Sequence, residues 1–415
     1  MPLMNGSTGG QYSVFRILLG CYLLQHLAVL LPWSANVFSS QGLVPDGAAS
    51  PLLHLFPNVL AVADSPAVVA LLIVVGLALT LLFVIGFWDR WAALGIWYIL
   101  ACLVGRNPLA SNPAFAFIGW ILLAHAFLPV APYGSYLARG RIDPDGGWRL
   151  PREIFAVGWI LMALAYSHTG YLKLISQSWV DGSALARALD SPLARPTFLR
   201  AWLLGMPAPA LQFATWATAI AALGFAPFSL VRRLRPLLWI VMLALQLSLL
   251  AILDVPDFVA GMVFLHLWTF DPAWVSARRS TAPDMLFYDG HCGLCHGTVR
   301  FVLAEERSRS GWLFAPLDSE AASAAFSAEE RRRLPDSVAV RTAGGDILTR
   351  SRAVLYILAS LGGYWRVAAA LGRVVPRAAA DVVYDAVAAV RYRIFGRTQD
   401  ACPVMPAGLR SRFLA

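Results

Sequence analysis

The run Ala67 to Phe87 contains no charged side chain and only one hydroxyl, at Thr80. About 18 or more such residues are the length of helix that crosses a bilayer, and a backbone in lipid must satisfy its own polar groups. A helical membrane region is therefore the first constraint on the fold. The composition agrees: 58% of residues are hydrophobic and 14% charged, against roughly 25% charged in soluble domains. A wholly soluble enzyme is excluded.

Hydropathy predicts eight spans, near residues 13–32, 67–87, 91–105, 113–130, 153–175, 210–230, 237–254 and 258–275. The charge is uneven along the chain. Residues 281–415 hold 30 of the 57 Lys, Arg, Asp and Glu, so the sequence predicts a polytopic α-helical bundle over 1–278 and a small α/β domain over 283–415. Arg139, Arg141, Arg149 and Arg152 fill one connection, Arg232, Arg233 and Arg235 another, and Arg278 and Arg279 follow the last span. Basic connections face the cytoplasm. The expectation is a multi-pass protein of a bacterial inner (cell) membrane, with a retained first span and a cytoplasmic soluble domain. The formal charge of +9 is explained by these loops and calls for no nucleic acid.

Of the 33 basic residues, all but Lys173 are arginine. Lys173 lies near the outer end of the fifth span, within Tyr166-Ser-His-Thr-Gly-Tyr-Leu-Lys173, ahead of Trp179. Lysine can lose its proton when desolvated and arginine cannot, which makes Lys173 a candidate base; the competing role is a cation drawn to the interface. Helical spacing puts Tyr166, Thr169 and Lys173 on one face and turns His168 away. His26, His54, His125 and His266 fall at no metal-ligand spacing and are expected as hydrogen-bonded packing residues.

In the charged half, Met285–Tyr288 reads as a strand, Asp289-Gly290 as a turn, and Cys292-Gly-Leu-Cys295 as the start of a helix to about Glu306. The positive helix end favours a thiolate at Cys292, and Cys295, one turn on, is in reach of it, so both are candidate catalytic residues with Cys292 attacking and Cys295 resolving. Two other chemistries share the pattern: haem attachment through Cys292-x-x-Cys295-His296, and zinc binding helped by His291 and His296. Strands are also expected at 312–317, 335–341 and 346–349, with a helix at 351–361; Pro335, ahead of the third strand, is a candidate cis-proline. Cys402 is expected to be structural.

Two resemblances follow. The Tyr-x-x-x-Gly-Tyr-Leu-Lys173-Leu stretch, Trp179-Val-Asp-Gly182, Arg106-Asn-Pro, and Asp257-Phe-Val with Phe270-Asp-Pro-Ala-Trp274 resemble the HTTM (horizontally transferred transmembrane) family, which includes the membrane region of vitamin K-dependent gamma-carboxylase. That resemblance implies a quinone or lipid ligand, with the residue matching Lys173 as base. Ser111-Asn112-Pro113 stands where the carboxylase has Asn-His, so carboxylation itself is not implied. The second half resembles the DCC thiol-disulfide oxidoreductases in Tyr288-Asp-Gly-His-Cys292-Gly-Leu-Cys295, Phe314-Ala-Pro-Leu317, Ser351-Arg-Ala353, Leu361-Gly-Gly363, Pro376 with Tyr384-Asp385, and Arg391-Tyr-Arg-Ile-Phe-Gly396 followed by Cys402. This implies a thioredoxin-like fold and redox chemistry on a substrate protein or a small thiol. The alternative is a membrane transport or peptide-maturation protein whose thioredoxin-like module only binds. Beyond a quinone no cofactor is implied, and no metal is expected.

Overall fold

The computed structural model describes residues 7–111, 114–277, 282–307, 311–334, 338–398 and 406–414. Pro335, Cys402 and Arg278-Arg279 lie outside them. A helix occupies each of the eight apolar stretches: α1 Gly9–Leu30, α2 Pro66–Ile85, α3 Asp89–Arg106, α4 Ala114–His125, α5 Arg152–Leu174, α6 Ala208–Ser229, α7 Arg235–Ile252 and α8 Pro256–Thr269. Five helical stretches, those holding α1, α2, α5, α6 and α7, are long and apolar enough to cross a membrane.

The other three fall short for local reasons. α3 begins at Asp89 and ends at Arg106, and these end charges break its apolar window. α4 stops at His125, ahead of Pro129 and Pro132, shorter than the predicted 113–130. α8 gives way at Phe270 to a turn in which the Asp271 carboxylate accepts from the Ala273 N–H. Buried charges among these helices are paired, as an uncompensated ion in a dry interior is costly. Arg16 meets Asp89 at 3.2 Å and Arg106 meets Asp64 at 2.9 Å. His125 faces Asp89 at 3.6 Å, and the His266 Nδ1 lies 2.8 Å from the Met262 carbonyl.

Packing divides the chain elsewhere than at residues 278–283. One compact unit holds Phe15–Leu128 and Pro151–Phe270; the other gathers the described parts of 1–14, 129–150 and 271–415. In this second unit a sheet is built from β1 Asp284–Tyr288, β2 Trp312–Pro316, β3 Ala339–Arg341 and β4 Ile347–Thr349, close to the predicted strands. The order is β2-β1-β3-β4, with β1 parallel to β2 and antiparallel to β3, and β3 antiparallel to β4.

Alternation along β1 sends Leu286 and Tyr288 to one face and Phe287 to the other. The first face packs on α9 Gly293–Glu305 and α10 Arg350–Leu361 through Val299, Val302 and Ile357. The second packs on the short helix Glu320–Ala325 and on Phe326. Helices α11 Gly363–Gly372 and α12 Arg377–Phe395 follow α10. The edge of β2 is covered by residues 412–414, whose Arg412 carbonyl and Leu414 N–H bond to Phe314, so this edge is closed to another chain.

The start of α1 belongs to this unit because its first amides are held there. Glu305, at the C-terminal end of α9, is fully buried and accepts from the Gly10 N–H at 2.8 Å, the Trp365 Nε1–H at 2.6 Å and the Thr8 hydroxyl. A carboxylate at a helix N-terminus satisfies N–H groups that have no partner within the helix. The space is filled: a Cβ on Gly10 would stand 2.5 Å from Glu305 Oε1.

Candidate functional site

The β1 strand ends at Tyr288, and the turn Asp289–His291 delivers Cys292 to the N-cap of α9, where its backbone is extended (φ −105°, ψ 119°). The helix then starts normally, the His296 N–H donating to the Cys292 carbonyl at 3.1 Å. Cys295 follows one turn later, inside the helix. Both thiols are free and buried.

The turn is braced from a hundred residues on. Asp289 Oδ1 accepts from the His291 N–H at 2.9 Å; Oδ2 accepts from the Tyr392 hydroxyl and from Arg391 Nη2 at 3.3 Å. Burial alone would raise the Asp289 carboxyl, but the bonds from Tyr392, His291 and Arg391 outweigh it and hold the group below the usual carboxylate range. Oxygens of Asp289 and the sulfurs of Cys292 and Cys295 all come within 4.8 Å of one another. Cys295 responds in the opposite sense: burial first, then its hydrogen bond with Cys292, pushes its thiol well above the ordinary cysteine range.

A segment just beyond α12 passes over the first cysteine. Arg397 forms an isolated antiparallel bridge with Cys292, the Gly293 N–H donates to the Gly396 carbonyl at 3.3 Å, and the Thr398 N–H donates to the His291 carbonyl at 3.0 Å. Position 293 has to be glycine for this approach, since a Cβ there would lie 2.3 Å from the Phe395 carbonyl oxygen. Cys292, expected from the sequence to be the attacking sulfur, is thus fully covered. The covering strand carried no sequence signal beyond the Arg391–Gly396 resemblance.

The other sequence candidates are arranged differently. His296 Nε2 lies 2.8 Å from the Gly290 carbonyl, so its ring is a brace of the same turn, and it is engaged at the nitrogen a haem iron would need. Asp289, Cys292 and Cys295 could offer three donors to a metal, but Asp289 already accepts from three groups, and no fourth ligand joins the cluster among the described residues. In the membrane unit the shared face of Tyr166, Thr169 and Lys173 does not become one site. Tyr166 accepts from Gln246 Nε2 at 3.2 Å and lies 3.4 Å from His266 Nε2; the Thr169 hydroxyl donates to the Ala165 carbonyl of its own helix; the Lys173 ammonium stands over the Trp179 ring, 4.5 Å from its centroid.

A helix-start Cys-x-x-Cys, with its two sulfurs and a carboxylate in one buried cluster beside a mixed four-stranded sheet, is equipment for two-electron thiol chemistry. Comparison with known proteins gives the class a family. A model of the DCC1-like thiol-disulfide oxidoreductases matches residues 286–397. The uncharacterized protein YuxK of Bacillus subtilis is 32% identical over 135 residues, covering 31% of this chain and 93% of YuxK. A chloroplast DCC family protein of Arabidopsis thaliana is 35% identical over 122 residues, covering 29% of this chain and 68% of that protein. Through its C-terminal domain the chain belongs to the DCC family. No solved structure matches it.

Proposed function

We propose that this is a membrane-bound thiol-disulfide oxidoreductase whose Cys292–Cys295 pair cycles between dithiol and disulfide. The observation that carries the reading is the sulfur cluster itself: both thiols lie at the first turn of α9, within 4.8 Å of each other and of Asp289. Closing the bond brings the sulfurs to about 2.05 Å and releases two electrons and two protons to a disulfide acceptor. The strand order β2-β1-β3-β4 with β3 opposed to its neighbours supports a thioredoxin-like fold. Disulfide reduction by the purified chain under a thiol reductant tests the reading; Cys292→Ser and Cys295→Ser should each abolish turnover, and full activity in either variant would exclude the pair.

The membrane half holds this domain at the bilayer. The start of α1, residues 129–150 and residues 271 onward belong to one unit, which supports an even number of crossings between each of them, four and four for an eight-span bundle of HTTM type. With the arginine-rich connections, this reading puts the domain in the cytoplasm. Lys173 fits an anchor at the interface better than a base, because its ammonium is engaged by Trp179. Tyr166 and Thr169 hydrogen-bond elsewhere, so neither joins Lys173 in a quinone site, and no step is assigned to one. Lys173→Arg should keep expression and exchange activity; loss of activity in a well-folded Lys173→Arg chain would restore the base.

A further inference from the structure

An apolar cavity of about 280 Å³ opens against α9, walled by Leu294, Phe301, Val338, Ile357 and Val387, with Cys295 in the same wall. Its size is just below the ~300–1,000 Å³ range of small-molecule sites, which suits a small ligand. Cys292 is not part of the wall. It lies beneath the Gly396–Thr398 segment, whose backbone bonds to His291 and Gly293 close over the cysteine. The two sulfurs therefore have different access, and the one that an incoming molecule meets is the second.

We infer that the mixed disulfide with substrate forms on Cys295 inside this cavity, that the substrate is a small apolar thiol or disulfide, and that Cys292 is the sulfur that resolves it. The inference rests on the thiol-exchange reading above and reverses the order that the sequence suggested. In the direction that oxidises substrate, a thiolate RS⁻ in the cavity attacks Cys295 Sγ of the Cys292–Cys295 disulfide. The S–S bond breaks and its electron pair leaves on Cys292, at the start of α9. A second RS⁻ attacks the substrate sulfur of the mixed disulfide and releases RSSR and the Cys295 thiolate. The two protons shed by the RSH molecules end on Cys292 and Cys295, so two RSH become RSSR while the pair gains two electrons. Reduction of RSSR follows the same path backwards and begins with loss of the Cys295 proton, which burial holds on the thiol. Selectivity comes from the mostly apolar wall, in which Arg391 is the one charged side chain and where each ligand methylene removed from water is worth roughly a fourfold gain.

The experiment uses the full chain in detergent, reduced and then mixed with dimethyl, diethyl, dipropyl or dibutyl disulfide, or with glutathione disulfide, the adduct being located by mass spectrometry. Cys292→Ser should accumulate an alkylthio adduct on Cys295, with rates rising several-fold per methylene along the alkyl series and glutathione disulfide slowest. Val387→Phe should move the best chain length shorter and Val387→Ala longer. An adduct on Cys292 of Cys295→Ser with none on Cys295 of Cys292→Ser, or equal rates for glutathione and dibutyl disulfides, would overturn the inference while leaving a working pair. A wild-type chain that forms no Cys292–Cys295 disulfide with any probe would overturn the thiol-exchange reading as well.

Discussion

Asp289 and Cys295 sit in one cluster and respond to it in opposite senses. Asp289 is held ionised by Tyr392, Arg391 and the His291 amide, and its partner Arg391 is as buried as it is, with side chains 9% and 8% exposed. Removing one member of a buried pair strands the other. Asp289→Asn should therefore cost about 1–3 kcal/mol at neutral pH, read as a shift in the unfolding of the domain. Because the folded carboxyl is depressed, that contribution is full above the unfolded value of about 3.9 and disappears as pH falls through the folded value, so wild type and Asp289→Asn should converge in strong acid. Cys295 gives the converse. Its thiol is raised, so the reduced protein keeps this stability below the ordinary thiol value of about 8.5 and loses it as pH rises further. Unfolding under reductant between pH 7.5 and 10 should show the decline in wild type and a flatter profile in Cys295→Ser; identical profiles would contradict it. The cysteines could be recognised from sequence because their spacing is local. The role of Asp289 could not, since it depends on residues a hundred positions away, and the sequence marked Asp289 as a turn residue and a member of the DCC motif without a role.

Helix α9 links the thiol pair to the start of α1, with Cys292 at its N-cap and Glu305 at its last turn. Glu305→Ala would leave the Gly10 and Trp365 N–H groups and the Thr8 hydroxyl without their acceptor, a cost of about 2–4 kcal/mol. The loss should appear first as faster hydrogen exchange at the start of α1. Gly293→Ala acts at the other end. Alanine suits a helix better than glycine, yet its Cβ would collide with the Phe395 carbonyl, so the covering segment has to move. Two backbone hydrogen bonds of about 1 kcal/mol each are at stake, and alkylation of Cys292 should speed up by roughly tenfold or more; an unchanged rate would mean that the segment does not limit access. Strands and helices of this domain were legible from alternation and turn chemistry. The segment over Cys292 was not, because an extended stretch that pairs through a single bridge has no periodicity to read.

At the scale of the molecule, hydropathy located every long helix of the membrane half, but the boundary between units was hidden. Residues 7–14 and 129–150 look like a span start and a basic loop, and only tertiary contacts such as Glu305 with Gly10 join them to the C-terminal domain. Accessibility tags inserted after Gly140 and after Gly344 should report the same side of the membrane, the cytoplasmic one by the arginine rule; opposite sides would break the unit described above. If Cys292 and Cys295 form a working redox pair, a redox titration of the full chain in detergent, with the oxidation state of each cysteine read by mass spectrometry, will show it. One two-electron transition is expected, about 30 mV per tenfold change in the ratio of oxidised to reduced protein, in which both thiols vanish together into an intramolecular disulfide. Two thiols that stay independently free across the whole range of potentials would contradict it.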